Sequence, residues 1–262
     1  MKWHIALARG LIRLGAFIQS SAVMVMTPED LIEFSRQHYT KLTSIEGWNS
    51  DNVVAEGLYP QELQLLERLP FRTGQLLLLG VGGGREAIPF ARMGFDVTGI
   101  DFIPEMVEGA LANAASYNVQ IKGLVQDIAA LDMPAEAYDI AWLSAAMYSC
   151  LPSRARRVQM LRRVCRALKQ GGYFAFQFQW DTHPQFSPKG ALLRRIIAWL
   201  TLGNLSFESG DMLWCNVEFI HAFSSESDLR AEFAAGEFDV AWLNIPTVMS
   251  GRGEALLQKR HA

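Results

Sequence analysis

The sequence predicts an α/β fold in which a doubly wound, mostly parallel sheet of seven strands carries helices on both faces. Three observations lead to this prediction. Short apolar runs alternate with helical patterns from residue 75 onwards, as in a sheet whose strands are buried on both faces. A glycine-rich turn separates the first run from a helix, and an acidic residue ends the second run. We predict that residues 71–262 form this domain, behind an N-terminal helical extension at residues 1–70.

Five apolar runs have the length and composition of buried parallel strands. They span residues 75–79, 96–100, 121–125, 138–143 and 173–179. Helical patterns fill most of the gaps between them, at residues 85–93, 104–116 and 153–169. A capped helix is predicted at residues 225–233. Two last strands, predicted at residues 238–244 and 254–259, complete the sheet. The irregular stretch at residues 180–223 is too long for a simple connection, so we predict an insertion after the fifth strand that covers a substrate.

The first 70 residues are predicted to be helical and to form an extension or lid. Thr27 supplies an N-cap directly ahead of Pro28, a pairing that is typical of a helix start. A loop is predicted at residues 47–60. An amphipathic helix follows at residues 61–69 and ends before Pro70.

An apolar run at residues 5–26 needs separate interpretation. Arg9 and Arg13 interrupt it, so it falls short of the roughly 20 consecutive apolar residues of a membrane span. We therefore predict a packed or lid-forming helix. A helix lying on a membrane surface is the less favoured alternative.

The composition of the chain excludes several classes of protein. Half of the 262 residues are hydrophobic, and no low-complexity tract or repeat occurs, which excludes a disordered chain and a solenoid. The formal charge of −3 is too small to indicate a nucleic-acid partner. Seven basic residues between positions 154 and 169 lie mostly opposite apolar positions at helical spacing. We predict a solvated helix face there, with a surface for an anionic partner as the alternative.

The cysteines bear on compartment and metal binding. Cys150, Cys165 and Cys215 are odd in number and widely spaced, which fits neither a disulfide framework nor a zinc site built from paired cysteines. We therefore expect a reducing, cytoplasmic compartment and no bound metal.

The glycine-rich turn at residues 80–84 leads from the first strand into a helix. Glycines permit a tight bend and let a ligand approach the backbone, and the helix N-terminus presents unpaired N–H groups. Asp101 ends the second strand, where a carboxylate can accept hydrogen bonds from two ribose hydroxyls. The glycine-rich turn and the carboxylate of Asp101 together suit a ligand that contains an adenosyl group. A dinucleotide fingerprint would require a third glycine at the position of Arg85, so NAD(P) is disfavoured.

The spacing of Gly80, Gly82 and Gly84 resembles the first motif of class I S-adenosylmethionine (SAM)-dependent methyltransferases of the small-molecule type. The resemblance continues through four further segments, which are residues 99–106, 125–128, 138–146 and 168–172. In this family these segments hold the ribose, face the adenine, pass under the methionine part of SAM and form the turn before the fifth strand. The resemblance therefore implies SAM as cofactor, S-adenosylhomocysteine (SAH) as product, and a defined set of binding residues. That set is Gly80, Val81, Gly82, Gly84, Asp101, Phe102, Met106, Asp127, Ile128 and Ser144.

Two positions depart from the family pattern. Leu78 stands where the first motif usually carries an acid, two residues before its first glycine. A hydrogen-bonding partner for the SAM amino group must then come from elsewhere or be absent. Gln170 replaces the usual proline of the last turn, where Gly171 and Gly172 allow the bend without it.

The activity that the resemblance implies is methyl transfer to a small-molecule acceptor by direct displacement at the sulfonium. Alignment and desolvation then supply most of the catalysis, and a base is required only if the acceptor is a hydroxyl or a protonated amine. Asp181 and His183 follow the fifth strand and Tyr148 follows the fourth, which makes these three the candidate catalytic residues. His221 is a further candidate base, and Cys150 is expected to be an inert thiol.

An amphipathic helix at residues 191–200 is expected to pack with the N-terminal helices over the site. Large side chains in and near the insertion would then enclose an apolar acceptor. They are Trp180, Trp199, Phe207, Met212 and Trp214. Two other functions stay open: a non-catalytic module that binds SAM or SAH, and an NAD(P)-dependent oxidoreductase, which is less well supported.

Overall fold

The structure, a computed structural model, describes residues 3–183 and 188–260. Ten α-helices lie within these ranges: α1 (Trp3–Val25), α2 (Pro28–Tyr39), α3 (Leu42–Asn49), α4 (Asp51–Glu56), α5 (Pro60–Glu67), α6 (Ala87–Arg92), α7 (Pro104–Ser116), α8 (Arg154–Ala167), α9 (Pro188–Thr201) and α10 (Glu226–Ala235). Nine strands accompany them: β1 (Gly74–Leu79), β2 (Phe95–Asp101), β3 (Lys122–Val125), β4 (Tyr138–Leu143), β5 (Leu168–Asp181), β6 (Asp211–Trp214), β7 (Glu218–Phe223), β8 (Phe238–Asn244) and β9 (Ser250–Lys259).

Seven of these strands build the main sheet in the order β3-β2-β1-β4-β5-β9-β8. The first five strands along the chain are parallel, and β9 runs antiparallel to both of its neighbours. This confirms the predicted doubly wound, mostly parallel sheet. The strand order reverses between β1 and β4, and open α/β sheets bind their ligands at the carboxyl end of such a switch point.

β1 is held by buried side chains on both faces of the sheet. Leu77 and Leu79 face a core shared with α8 and α10, whereas Leu76 and Leu78 face a second core shared with α5 and α6. Alternate strand residues point to opposite faces, so one run of four leucines serves both cores. The packing of β1 in both cores therefore holds the start of the turn that follows Leu79 in place.

The insertion is more regular than predicted. It contains α9 and an antiparallel hairpin of β6 and β7, and β7 also pairs with the end of β5 through Gln179 and Trp180. β5 reaches Asp181, two residues beyond its predicted end, and this extra length supplies the edge on which β7 pairs. β6 and β7 span four and six residues and lie in the stretch that the sequence predicted to be irregular. Residues 184–187 of the predicted insertion lie outside the described residues.

The N-terminal segment confirms one prediction and corrects another. α2 begins at Pro28 behind a capping box, in which Thr27 Oγ1 accepts from the N–H of Asp30 at 3.1 Å and Asp30 Oδ2 accepts from the N–H of Thr27 at 2.9 Å. The loop predicted at residues 47–60 is wrong, because the end of α3 and all of α4 lie there. Helices of eight and six residues are too short to be recognised by periodicity.

α1 packs on the domain only near its C-terminal end, where Val23 and Met24 are buried against α9 and β7. Residues 3–16 are exposed. Among the described residues, no single helix is long and apolar enough to cross a membrane. α1 and α2 meet the length and composition criterion only as a pair, and the two helices are bent by 110° relative to each other.

One arginine of the basic helix α8 corrects the prediction of a solvated face. Arg157 is fully buried, and its Nη2 lies 2.7 Å from Oε1 of Glu232 in α10 and 2.7 Å from Oε2 of Glu208. The acidic partners come from distant parts of the chain, so helical spacing alone could not show them. The other five arginines of α8, and Lys169 at the start of β5, are exposed or half-buried.

Candidate functional site

A cavity of about 340 Å³ lies at the carboxyl edge of the sheet, within the range of small-molecule sites. The turn after β1 and the ends of β2 and β4 form its floor. Side chains of α2 and α3 cover it, and β7 and β9 close the opposite side. The N-terminal extension and the insertion thus both contribute walls.

The glycines of the turn have different roles. Gly80, Gly82 and Gly84 adopt positive φ angles of 80°, 49° and 95°, which glycine tolerates best. A Cβ added to Gly82 would meet nothing within 4 Å, and this residue lines the cavity. A Cβ on Gly83 would lie 2.2 Å from the carbonyl oxygen of Trp48, so this glycine lets α3 close onto the turn. Gly84 packs on α7.

Asp101 stands at the end of β2 with its carboxylate at the cavity. Oδ2 accepts from the N–H of Gly82 at 3.1 Å, and Oδ1 accepts from the N–H of Ile103 at 3.1 Å. Burial raises the pKa of Asp101, while the N–H groups of Ile103 and Gly82 oppose this shift. Each oxygen has a further lone pair, so the carboxylate is oriented and can still accept a ligand hydroxyl.

Glu86 is a second buried carboxylate on the cavity wall. Its Oε1 accepts from Nη2 of Arg85 at 2.6 Å and from the hydroxyl of Ser144. Arg85 also binds Glu62 through two contacts, at 2.7 and 2.8 Å. Burial raises the pKa of Glu86 to about 7, although Arg85 opposes the shift. Two acids share one guanidinium here, so a cationic group in the cavity would stabilise the ionised form of Glu86.

Apolar side chains and one carboxylate meet at the side of the cavity next to the ends of β2 and β3. The ring of Phe102 lies there, with the guanidinium carbon of Arg36 in α2 at 4.9 Å from its centroid. Met106 and Ile128 add apolar surface. Asp127 caps the short 3₁₀ helix that begins at Ile128, accepting from the N–H of Ala129 at 2.8 Å. This arrangement forms an apolar slot with one carboxylate at its edge.

A polar cluster occupies the opposite wall, where the sequence predicted only an inert thiol at Cys150 and an apolar wall residue at Trp214. Glu218 at the start of β7 accepts from Sγ of Cys150, with Sγ to Oε1 at 3.2 Å. Burial and the charge of Glu218 raise the pKa of the Cys150 thiol. The same two causes raise the pKa of Tyr39, which also lies near Glu218. All three line the cavity together with Arg252.

The cavity brings together nearly all of the residues predicted to bind SAM. Gly84 is the exception among the ten, because it faces α7. Sequence reasoning missed Glu86 and the Glu218 cluster. A signal for Glu86 was present, since it directly follows the glycine-rich turn in a sequence that lacks the usual acid at position 78.

The three predicted catalytic residues do not line the cavity. Tyr148 is fully buried, and its hydroxyl donates to Oε2 of Glu232 at 2.8 Å. Asp181 and His183 form an exposed pair, with Oδ1 and Nδ1 2.6 Å apart. Of the five side chains predicted to wall an acceptor, Trp214 lines the cavity.

His221 belongs to a separate buried network. Its Nδ1 lies 2.8 Å from Oδ1 of Asp211, and Glu208, which is nearby, pairs with Arg157. The ligand atoms of Glu208, Asp211 and His221 lie within 4.8 Å of one another. Arg157 contacts Glu208 and His221 contacts Asp211, so this group joins the insertion to α8 and α10.

The sheet order, the glycine turn and the acid that ends β2 have the arrangement of the Rossmann-like fold of SAM-dependent methyltransferase structures. Residues 76–172 match a family model described as "Methyltransferase domain". A methyltransferase structure from Methanosarcina mazei is similar, with a TM-score of 0.57 and 21 % identity over 78 % of this chain and 98 % of that one. A methyltransferase structure from Clostridium acetobutylicum has a TM-score of 0.57 and 14 % identity, and the similarity covers 86 % of this chain and 97 % of that one. These two similarities show the fold.

Two curated relatives are both named ubiquinone biosynthesis O-methyltransferase. The protein from Methylobacterium nodulans is 29 % identical over 140 residues, and the one from Paramagnetospirillum magneticum is 37 % identical over 105 residues. These regions cover 53 % and 40 % of this chain. The chain spans 55 % and 40 % of the length of these relatives.

Proposed function

We propose that this protein is a SAM-dependent methyltransferase acting on a hydroxyl group of a small molecule. One observation carries the proposal. A single cavity has the open face of Gly82 and the carboxylate of Asp101 on one side, and the Glu218 cluster on the other. The same cavity therefore offers one side to an adenosyl group and the other to a methyl acceptor that must lose a proton.

The residues of the cavity fit SAM group by group. The carboxylate of Asp101 suits the ribose hydroxyls, and the slot at Phe102 with Asp127 suits the adenine. Glu86 supplies the acid that is missing at position 78, and we assign it to the amino group of the methionine part. One guanidinium against Glu62 and Glu86 leaves this buried group with a net negative charge when both acids are ionised, which favours a cationic ligand.

The bound cofactor supplies a methyl group on a positively charged sulfur, which is a good leaving group. The protein then has to align the acceptor and exclude water. α2 and α3 contribute Ile32, Tyr39 and Trp48 to the cover of the cavity. α3 is held on the glycine turn by Asn113, whose Nδ2 donates to the carbonyls of Gly83 at 2.9 Å and Asn49 at 3.2 Å.

Glu218 is our candidate for the group that removes the proton from the acceptor hydroxyl. It faces the cavity, it is the only acid of the Cys150 and Tyr39 cluster, and its two partners keep their protons because burial raises their pKa values. The names of the curated relatives, which specify O-methylation, support an oxygen acceptor. The exposed pair of Asp181 and His183 is a second candidate base. We place the activity in the cytosol because all three cysteines are free thiols.

The proposal is tested by transfer of tritiated methyl from SAM to a panel of catechols and hydroquinones. Turnover of at least one acceptor is expected, and Glu218→Gln should lower kcat while leaving SAH affinity within about twofold, because Glu218 lies away from the adenosyl side. His183→Gln serves as the matched variant at the exposed pair. SAH binding without turnover of any acceptor would favour a non-catalytic binding module instead. If His183→Gln lowers kcat and Glu218→Gln does not, the base is the exposed pair.

A further inference from the structure

Two exposed apolar stripes run along α1 and α9. On α1 the stripe repeats at helical spacing and its members are 54–67 % exposed: Trp3, Leu7, Leu11, Leu14 and Ile18. On α9 the members are 45–68 % exposed: Leu192, Leu193, Ile196, Trp199 and Leu200. Leu202 and Leu205, just after α9, are 75 % and 68 % exposed. Exposed apolar surface on this scale marks an interaction site.

The two helices form one unit that is fixed to the domain. Nη2 of Arg194 donates to the hydroxyl of Ser20 at 2.6 Å, and its guanidinium lies 5.3 Å from the ring centre of Phe17. The N–H of Asn204 donates to the carbonyl of Met24 at 2.8 Å. The residues that join the helices are not members of the stripes, so packing of the pair leaves both stripes on the surface.

The charges of this surface select among the candidate partners. α1 and α9 contain no Asp or Glu, and Arg9, Arg13 and Arg195 are exposed. A second copy of the chain would bring two basic surfaces together, which is unfavourable. An anionic lipid surface offers the opposite charge, together with an apolar layer for the stripes. Trp3 and Trp199 add the amphipathic rings that are enriched at membrane interfaces.

We propose that α1 and α9 lie on an anionic bilayer surface, with their apolar stripes at the level of the acyl chains and their arginines among the headgroups. Arginine side chains reach the headgroups while their stems stay in the apolar layer. The unit borders the cavity: Val23, Met24 and Ala198 share a small core with Phe219 and Leu213, which are neighbours of the cavity residues Glu218 and Trp214. The inference does not depend on the proposed methyl transfer.

Flotation with lipid vesicles tests this proposal on the full chain. Vesicles of phosphatidylcholine with phosphatidylglycerol should bind the protein at least about tenfold more than phosphatidylcholine alone, and salt should weaken this preference. Leu11→Glu with Leu200→Glu should lower binding by about tenfold or more, because each substitution places a charge in the apolar layer. Leu42→Glu with Val248→Glu is the matched control, since these side chains are 69 % and 62 % exposed elsewhere.

The melting temperature of both double variants establishes that they remain folded. Equal binding of the wild type and the α1–α9 variant would overturn the proposal, and so would absence of binding to the anionic vesicles. Analytical ultracentrifugation tests the other candidate partner, a second copy of this chain, by measuring the oligomeric state. A dimer that the α1–α9 variant dissociates, combined with no vesicle binding, would assign the surface to a second copy of this chain. SAH affinity provides an independent readout of the cavity in the same samples.

Discussion

The hydroxyl of Ser144 at the end of β4 donates to the carboxylate of Glu86, which lies directly before α6. This hydrogen bond joins two of the segments that frame the cavity and orients the carboxylate. The same oxygen of Glu86 is bound by Arg85. A buried acid that is held in this way can recognise a cation without large side-chain movement.

We predict that Glu86→Gln weakens SAM binding by about tenfold to a hundredfold, which corresponds to loss of one charge-assisted contact of about 1.5–3 kcal/mol. Isothermal titration with SAM gives the affinity directly. Glu67→Gln is the control, because Glu67 lies on the exposed face of α5. Unchanged affinity in Glu86→Gln would assign the amino group of SAM to another residue.

The raised pKa of Glu86 predicts a pH dependence of stability. Its pKa is about 7 in the folded protein against an ordinary value of 4.5, so the folded state binds the proton more tightly than the unfolded state. The stabilising contribution is complete below pH 4.5 and is lost as the pH rises through 7, by up to about 3 kcal/mol. We expect the free energy of unfolding, measured with denaturant, to fall less between pH 5.5 and pH 8 in Glu86→Gln than in the wild type. An equal fall in the two proteins would contradict the raised pKa of Glu86.

Neighbouring glycines of the turn should respond differently to substitution. Gly82→Val places its side chain in open cavity space and should abolish SAM binding, at a cost to stability of about 1–2 kcal/mol from the positive φ. Gly83→Ala should instead push α3 away from the turn, because its Cβ would lie 2.2 Å from Trp48. Its thermal unfolding temperature should fall, and SAM binding should weaken without being lost. The pair is compared by thermal shift with and without SAH.

Tyr148→Phe should change stability and leave methyl transfer intact. The phenol hydroxyl donates to Glu232, which also binds Arg157, and its loss should cost about 1–2 kcal/mol. Since Tyr148 lies outside the cavity wall, kcat and the SAM affinity should stay within about twofold of wild type. A fall in kcat of about tenfold or more in this variant would restore Tyr148 as a catalytic residue.

The adenosyl side of the site was predictable because its residues sit on local signals. Gly80 and Gly82 form a turn after an apolar strand, and Asp101 ends the next strand, so the parallel topology brings them to the same edge. The acceptor side has no such local signal. Glu218 reaches the cavity only because β7 pairs with the end of β5, and Tyr39 reaches it only because α2 folds over the sheet.

Buried charges were the least predictable part of the fold. Arg157 belongs to a run of basic residues that reads as a solvated face, yet Glu208 and Glu232 surround it from distant segments. Arg85 likewise has its second partner in α5, at Glu62. Helical periodicity reports which face is apolar, but the partner of a buried charge depends on tertiary packing.

The central claim is that the cavity holds an adenosyl ligand through the carboxylate of Asp101. Isothermal titration of SAH into the wild type and into Asp101→Ala tests it most directly, with circular dichroism to verify the fold of the variant. We predict one binding site per chain in the wild type and no measurable binding in Asp101→Ala. Near-normal SAH affinity in a folded Asp101→Ala protein would contradict the claim.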